Sequence, residues 1–214
     1  MIFRRLLSAL AIALFSLMPT LCAGQSFELL LKAANEGDVQ TVGTLLNQGL
    51  DANTADTDGN TILMIAARLG HRDLVSFLIG HKASVRRRSP HGDTALMFAS
   101  LKGHLEIAEL LVRNGAEISH GGWTPLHYAA FEGGPGVVSY LIGKGADKNG
   151  LAPNGYTPLM LAARSGQLEA ARALLYEDVD LNVRGPNGET ALRIAQERKN
   201  PELESLLRRA GAVD

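Results

Sequence analysis

The sequence predicts an all-α solenoid of about six stacked helix–loop–helix units joined by β-turn or hairpin loops. The main observation is a seven-residue segment that returns about every 33 residues. A Gly-containing turn dipeptide precedes each copy, and apolar residues at helical spacing follow it. Periodicity of this length is typical of stacked repeats, which usually act by binding. The copies begin at Thr61, Thr94, Thr124, Thr157 and Thr190.

Each unit begins with a turn in which Gly supplies a positive φ. The Thr that follows can cap a helix, and Pro125 and Pro158 stand at the first helical position, where a helix tolerates Pro. The turn dipeptides are Asp58-Gly59, His91-Gly92, Gly121-Gly122, Asn154-Gly155 and Asn187-Gly188.

The first helix of each unit carries Leu followed by two small residues, which let neighbouring helices approach closely. The second helix is apolar at helical spacing, as at Ile107, Leu110 and Leu111. Glycine follows both helices. We expect left-handed caps on the first helices at Gly37, Gly70, Gly103, Gly133 and Gly166.

These motifs together resemble the ankyrin repeat. The resemblance rests on Thr-Pro-Leu-His-Tyr-Ala-Ala from Thr124, Gly-His at Gly70 and Gly103, and Gly-Ala-Asp at Gly145, and it covers about 190 residues. The end units are polar, as solubility of a solenoid requires. The expected units are 26–57, 58–90, 91–120, 121–153, 154–186 and 187–214, within a repeat domain at 25–214.

The first 24 residues have the layout of a secretory signal peptide. Arg4 and Arg5 precede an apolar run from Leu6 to Met18, and small residues follow Pro19. The run is shorter than the roughly 20 residues of a membrane-spanning helix. We therefore expect cleavage, no stable membrane insertion and export to the periplasm, with secretion as the alternative. An uncleaved anchor is less favoured.

Cleavage would also remove Cys22, the only cysteine. A lipoprotein anchored through Cys22 is disfavoured because the bulky Leu21 precedes it. The mature chain would then depend on packing alone, without disulfides. The formal charge of -1 argues against nucleic-acid binding, which needs a basic face.

The sequence contains no recognisable catalytic constellation, and we expect no metal or cofactor. The resemblance implies structural roles for His71, His104 and His127. His81, His91 and His120 lack a cysteine partner or an i, i+4 pair that would favour metal binding. The acidic cluster Asp51, Asn53, Asp56 and Asp58 lacks the glutamate that completes a calcium loop.

The resemblance implies that partners bind at the residue before each repeat Thr and at the pair after Ala-Ala. Aromatic and Arg side chains there would dominate an interface. Packing against adjacent turns is the alternative role for the aromatics. The candidates at these positions are Asp93, Lys102, Trp123, Phe131, Tyr156 and Arg164.

Arg86, Arg87 and Arg88 form a basic run in the turn after the second unit. They are either a solvated charge run or an anchor for an acidic partner, and we include them among the candidate partner-binding residues.

The period is interrupted once, because Gly115 to Thr124 is three residues shorter than the matching intervals. The loop Gly133-Gly134-Pro135-Gly136 follows, and we expect it to start the next helix late. The hypothesis is a notch with Trp123 at its floor, flanked by the 86–88 turn and by Tyr156.

The predicted function is therefore a non-catalytic protein-binding module, exported to the periplasm and monomeric. The alternative is a secreted effector or inhibitor of a host or competitor protein. A remote alternative is an enzyme with an unrecognised site.

Overall fold

The computed structural model describes residues 24–213, which fold into twelve helices with no strand and one isolated β-bridge between Ala55 and Thr61. The predicted all-α solenoid is confirmed. The signal peptide expected at 1–24 lies outside the described residues except for Gly24. The helices are α1 (24–36), α2 (Val39–Asn47), α3 (Ile62–Leu69), α4 (Arg72–Gly80), α5 (Ala95–Leu101), α6 (Leu105–Arg113), α7 (Pro125–Phe131), α8 (Pro135–Gly143), α9 (Pro158–Ser165), α10 (Leu168–Tyr176), α11 (Ala191–Glu197) and α12 (Pro201–Arg209).

The helices form two layers. In one layer α3, α5, α7, α9 and α11 pack each on the next, and in the other α2, α4, α6, α8, α10 and α12 do the same. The two layers meet over buried Leu and Ala side chains. Ala66, Ala99, Ala129, Ala162 and Ala195 are fully buried at equivalent positions of the first layer, so the helices there pack with little side chain between them.

Each helix of the first layer from α3 onward begins at a repeat Thr. The Thr hydroxyl accepts a hydrogen bond from the backbone N–H three residues later, at 3.2 Å for Thr61 and Met64 and at 3.2 Å for Thr157 and Met160. Since the free N–H groups at a helix start need acceptors, this cap fixes the start of each unit. Pro125 occupies the first helical position, as predicted.

The second-layer helices are followed by a left-handed residue at positions 49, 82, 115, 145, 178 and 211. Lys82 (φ 65°) and Asp178 (φ 54°) occupy this conformation where the other units have glycine. The shortened interval therefore begins after Gly115 and ends at Thr124, the cap of α7. The three missing residues come from the turn, and the helices keep their length.

The hydrogen bonding of the short turn also differs. In four other turns a reciprocal pair of backbone bonds closes the loop, as where Ser89 N–H donates to Asp93 O (2.9 Å) and Gly92 N–H donates to Ser89 O (2.9 Å). The equivalent turns span 56–60, 152–156 and 185–189. Within the described chain, no such pair closes residues 119–123. The backbone before Trp123 thus follows a different path.

Two expectations for the Gly-Gly-Pro-Gly loop were wrong. Helix α8 does not start late: Pro135 follows Gly133 by two residues, just as Leu105 follows Gly103. Proline fits this position because the first helical N–H needs no partner within the helix. Gly133 is not left-handed either. Its role is close approach, since a Cβ there would lie 2.2 Å from the Ser100 carbonyl oxygen.

No helix in residues 24–213 has both the length and the apolar character that crossing a membrane requires.

Candidate binding site

A groove of about 480 Å³ lies beside the shortened turn, and we call it the Trp123 groove. The C-terminal ends of α5, α7 and α9 form its floor and sides, and the turns before α7 and α9 supply the rest. It brings together three predicted site residues, Trp123, Phe131 and Arg164. The lining residues are Leu101, Trp123, His127, Tyr128, Phe131, Glu132, Asn154, Leu161 and Arg164.

The Trp123 ring is held in place by two aromatic neighbours. It packs edge-on against His127, with ring centroids 5.9 Å apart, and against Tyr128 at 6.1 Å. Trp123 is half-buried, whereas Phe131, at the end of α7, exposes 44% of its surface. Trp123 therefore packs against adjacent residues, the alternative role foreseen for it, and its ring also lines the groove.

His127 is buried beneath the groove and bridges two turns. Its Nδ1 accepts a hydrogen bond from the Thr124 N–H at 3.2 Å, so Nε2 carries the proton and donates to Gly150 O at 3.0 Å. Burial lowers the pKa of His127 below its ordinary value, because a charged ring would lose its hydration. The structural bracing role implied by the resemblance accords with these contacts.

Asp93 is engaged in a contact between neighbouring units. Its Oδ1 accepts a hydrogen bond of 2.6 Å from the Tyr128 hydroxyl. Burial raises the pKa of Tyr128, and the bond to Asp93 raises it further, so the phenol stays protonated. Asp93 thus supports one wall of the groove through Tyr128 without lining it.

Tyr156 lies outside the Trp123 groove but is connected to it through Arg164. The Arg164 guanidinium carbon lies 5.4 Å from the centroid of the Tyr156 ring, a cation–π contact. A hydrogen bond to Glu189 raises the pKa of the Tyr156 hydroxyl. Arg164 lines the groove on one side and a second cavity on the other.

Lys102 stands at the outer edge of the groove. Its Nζ forms a 2.8 Å ion pair with Oε1 of Glu132, which lines the groove. Both side chains are well exposed, so the pair contributes little to stability and remains available to a partner.

The 86–88 turn does not line the Trp123 groove. Arg86 Nε donates to Gly115 O at 2.8 Å, and Arg88 Nη2 pairs with Glu117 Oε2 at 2.8 Å. Within residues 24–213, the Arg87 side chain forms no ion pair. This turn therefore does not form the notch flank that we expected from it: Leu101 at the end of α5 lines the groove on the side of the preceding repeat, and Arg164 lines it on the side of the following repeat.

Arg86 has a repeat-bracing role that its sequence position could have indicated. It aligns with Asn53, Asn149 and Asn182. Each of these asparagines accepts a hydrogen bond from a backbone N–H of the next unit, as at 2.8 Å between Ser84 N and Asn53 Oδ1. Arg86 also bonds to the next unit from this position, but as a hydrogen-bond donor, through its 2.8 Å bond from Nε to Gly115 O.

A second cavity of about 490 Å³ adjoins the first at Arg164. Sequence reasoning named Arg164 as a site residue but missed the other three arginines, of which Arg184 lies at the end of the fifth unit and Arg193 and Arg198 lie in the polar C-terminal unit. The one available signal was Arg193, which follows its Thr by three residues, where the other units have Met or His. The cavity's charged and aromatic lining residues are Tyr156, Arg164, Arg184, Glu189, Arg193, Glu197 and Arg198.

The other polar candidates make local structural contacts. His71 Nε2 lies 2.8 Å from Asn35 O, and His104 Nε2 lies 3.2 Å from Arg68 O, so each histidine joins its unit to the preceding one. Asp56 Oδ1 accepts backbone bonds from its own turn. Across residues 24–213, no cluster of three or more His, Cys, Asp or Glu is arranged to hold a metal.

Comparison with known proteins identifies the family. A family model described as ankyrin repeats (three copies) matches residues 29–121, 88–150 and 126–213. The chain belongs to the ankyrin repeat family. Ankyrin repeats are protein–protein interaction modules, and the fold is typically non-catalytic. No curated protein matches this ankyrin repeat chain in sequence.

Three solved structures resemble this ankyrin repeat protein. The ankyrin repeat domain of human ASB11 has a TM-score of 0.80 and 25% identity, covering 86% of this chain and 84% of that one. An ankyrin repeat domain from Acinetobacter baumannii has a TM-score of 0.71 and 29% identity, with coverages of 86% and 98%.

The third structure is a complex from Bdellovibrio bacteriovorus, described as the predatory endopeptidase Bd0816 with the immunity protein Bd3460. A chain of this complex matches with a TM-score of 0.74 and 30% identity, covering 85% of this chain and 97% of that one.

Proposed function

We propose that this protein is an exported, non-catalytic ankyrin module that binds a partner protein through the Trp123 groove. One observation carries the proposal: Trp123 and Phe131 from one repeat and Arg164 from the next converge on one concavity. Aromatic and Arg side chains on rigid elements are the usual energetic centres of protein interfaces. The break in the repeat period lies directly beside this concavity.

Export is supported by the first 24 residues, with their charged start, short apolar run and small-residue end. Fractionation of cells that produce the full chain with a C-terminal tag tests this. We expect the protein in the periplasmic fraction, with an intact mass that corresponds to cleavage after Ala23 or Gly24. A full-length mass in the cytoplasm would contradict export.

Partner binding is tested with the Trp123→Ala, Phe131→Ala double variant. Immobilised wild-type protein should retain a specific partner from a periplasmic extract, identified by mass spectrometry, and the double variant should lose it. Tyr176→Ala is the matched control, because Tyr176 is an aromatic residue that is 86% exposed and lies outside the groove. Retention of the partner by a folded double variant would refute the assignment of this groove.

A second candidate function is inhibition of an exported enzyme, which corresponds to the alternative of a secreted effector or inhibitor. It is favoured by the 30% identical chain in the endopeptidase–immunity protein complex. If it is correct, the captured partner is a peptidase or another hydrolase, and stoichiometric addition of this protein abolishes its activity. The proportion found in the culture medium distinguishes secretion from periplasmic retention.

An enzymatic role is the remote third candidate. Turnover by the mature protein in a panel of hydrolase substrates would support it, and we expect none.

A further inference from the structure

The cavity next to the Trp123 groove is lined by four arginines, and we call it the arginine pocket: Arg164, Arg184, Arg193 and Arg198. Two glutamates, Glu189 and Glu197, line it as well. The excess of positive charge contrasts with the formal charge of -1 of the whole chain. A concave surface with an excess of one charge attracts ligands of the opposite charge.

Both glutamates already have partners inside the pocket. Glu197 Oε1 lies 3.0 Å from Arg193 Nε. Glu189 Oε2 accepts a 2.8 Å hydrogen bond from the Asn187 N–H, and the Tyr156 hydroxyl also bonds to this carboxylate. Both carboxylates thus have partners, but only one of the four arginines, Arg193, is paired with a carboxylate.

The other three arginines have no carboxylate partner within residues 24–213. Arg164 stacks on Tyr156, and Arg184 Nη1 donates to its own turn at Gly188 O (2.9 Å). The Arg164 side chain also hydrogen-bonds to Tyr156. These contacts restrict each guanidinium but do not use all five of its N–H donors. Arginine in this state is suited to bidentate bonding of carboxylates.

The arginine pocket and the Trp123 groove form one continuous surface, because Arg164 lines both. We propose that this surface binds a partner segment in which an apolar side chain enters the Trp123 groove and neighbouring Asp or Glu carboxylates pair with Arg164, Arg184 and Arg198. This inference rests on the proposed function and specifies the chemistry of the partner. An acidic partner was one interpretation of the 86–88 turn. This proposal places the acidic residues of the partner at the arginine pocket instead, on the other side of the groove.

The test is isothermal titration calorimetry of the mature protein with two synthetic peptides. One carries a Leu followed by a short run of Glu, and the other has Gln in place of every Glu. We expect the Glu peptide to bind about tenfold more tightly, equivalent to one or two charge-assisted hydrogen bonds. Raised salt should weaken the binding of the Glu peptide and leave the affinity for the Gln peptide nearly unchanged.

Two variants assign the effect to the pocket. Arg184→Gln and Arg198→Gln should each lower the affinity for the Glu peptide by about three- to tenfold without altering the affinity for the Gln peptide. Arg209→Gln is the control, because Arg209 is exposed on α12 and does not line the pocket. Equal affinity of the two peptides, no binding of either, or unchanged affinity in both pocket variants would overturn the inference.

The peptide test separates this inference from the proposed function. If partner capture depends on Trp123 and Phe131 while the arginine variants behave as wild type, the acidic segment is excluded and the groove assignment stands. If the Glu peptide still binds the Trp123→Ala, Phe131→Ala variant through the arginines, the acidic specificity is supported although the groove has failed.

Discussion

The Tyr128 hydroxyl donates a 2.6 Å hydrogen bond to Asp93, and this bond joins the turn before α5 to helix α7. It therefore spans the boundary at which the repeat period shortens. The same Tyr128 ring packs edge-on against Trp123. A polar contact between repeats thus holds one wall of the candidate binding groove in place.

Tyr128→Phe should destabilise the protein by about 1–3 kcal/mol, because it removes the hydroxyl that donates to Asp93 Oδ1. Urea unfolding followed by circular dichroism measures the change. Tyr140→Phe is the control, since Tyr140 is also half-buried but lies on α8 in the second layer. The same loss of stability in both variants would show that the bond to Asp93 is not responsible.

His127→Met should make the stability less sensitive to acid. The pKa of His127 is lowered in the folded state, so the unfolded chain, with a value near 6.5, binds the proton more readily. The stabilising effect of the neutral ring is complete above pH 6.5 and declines as the pH falls below it. Methionine is a suitable replacement because Met64, Met97 and Met160 occupy the equivalent positions.

Urea midpoints at pH 7 and pH 5 test this. The difference between the two should be smaller in His127→Met than in the wild type, while His91→Gln, at an exposed turn position, should keep the wild-type difference. An unchanged acid sensitivity in His127→Met would contradict the prediction.

Gly133→Ala should destabilise the protein by about 1–3 kcal/mol, because the new methyl would overlap the Ser100 carbonyl oxygen. Gly134→Ala is a neighbouring control: its Cβ would meet nothing closer than Gly103 Cα at 3.9 Å, and its φ is -82°. Thermal unfolding should therefore give a lower melting temperature for Gly133→Ala than for Gly134→Ala. Equal melting temperatures would mean that the loop can move away from α5 at little cost.

Asp178→Gly should stabilise the protein by about 0.5–1 kcal/mol. Asp178 has a left-handed backbone (φ 54°), which is unfavourable for a residue with a Cβ, and four of the six units have Gly at this position. Glu177→Gly, at φ -95°, should instead destabilise by a similar amount. Chemical denaturation measures both, and a change of the same sign in the two variants would refute the backbone argument.

The regular parts of the fold could be predicted from the sequence because each depends on local chemistry. Thr61 and Thr157 cap their helices, and Pro125 fits the first helical position, whatever the rest of the chain does. Gly133 could not be understood in this way. Its constraint comes from Ser100 in the preceding repeat, and glycine in sequence does not distinguish a left-handed backbone from a close approach.

The candidate site could be predicted only in part for the same reason. Phe131 and Arg164 occupy equivalent positions of successive units and lie side by side in the groove with Trp123, whereas Tyr156, which we also expected beside Trp123, lies outside it. Sequence reasoning did not reveal that Arg86 and Arg88 are engaged by the following unit. For Arg86 the alignment with the bracing asparagines was an available signal, whereas for Arg88 only the three-dimensional stacking distinguishes an ion pair with Glu117 from contact with solvent.

The shortened turn leaves the helices on either side of it unchanged in length and starting point. Loop length in this scaffold can thus vary without repacking the interior, so the recognition surface and the core can change independently in evolution. The 116–123 segment is accordingly a natural position at which to graft longer loops, and a library built there would sample new binding surfaces on a constant framework.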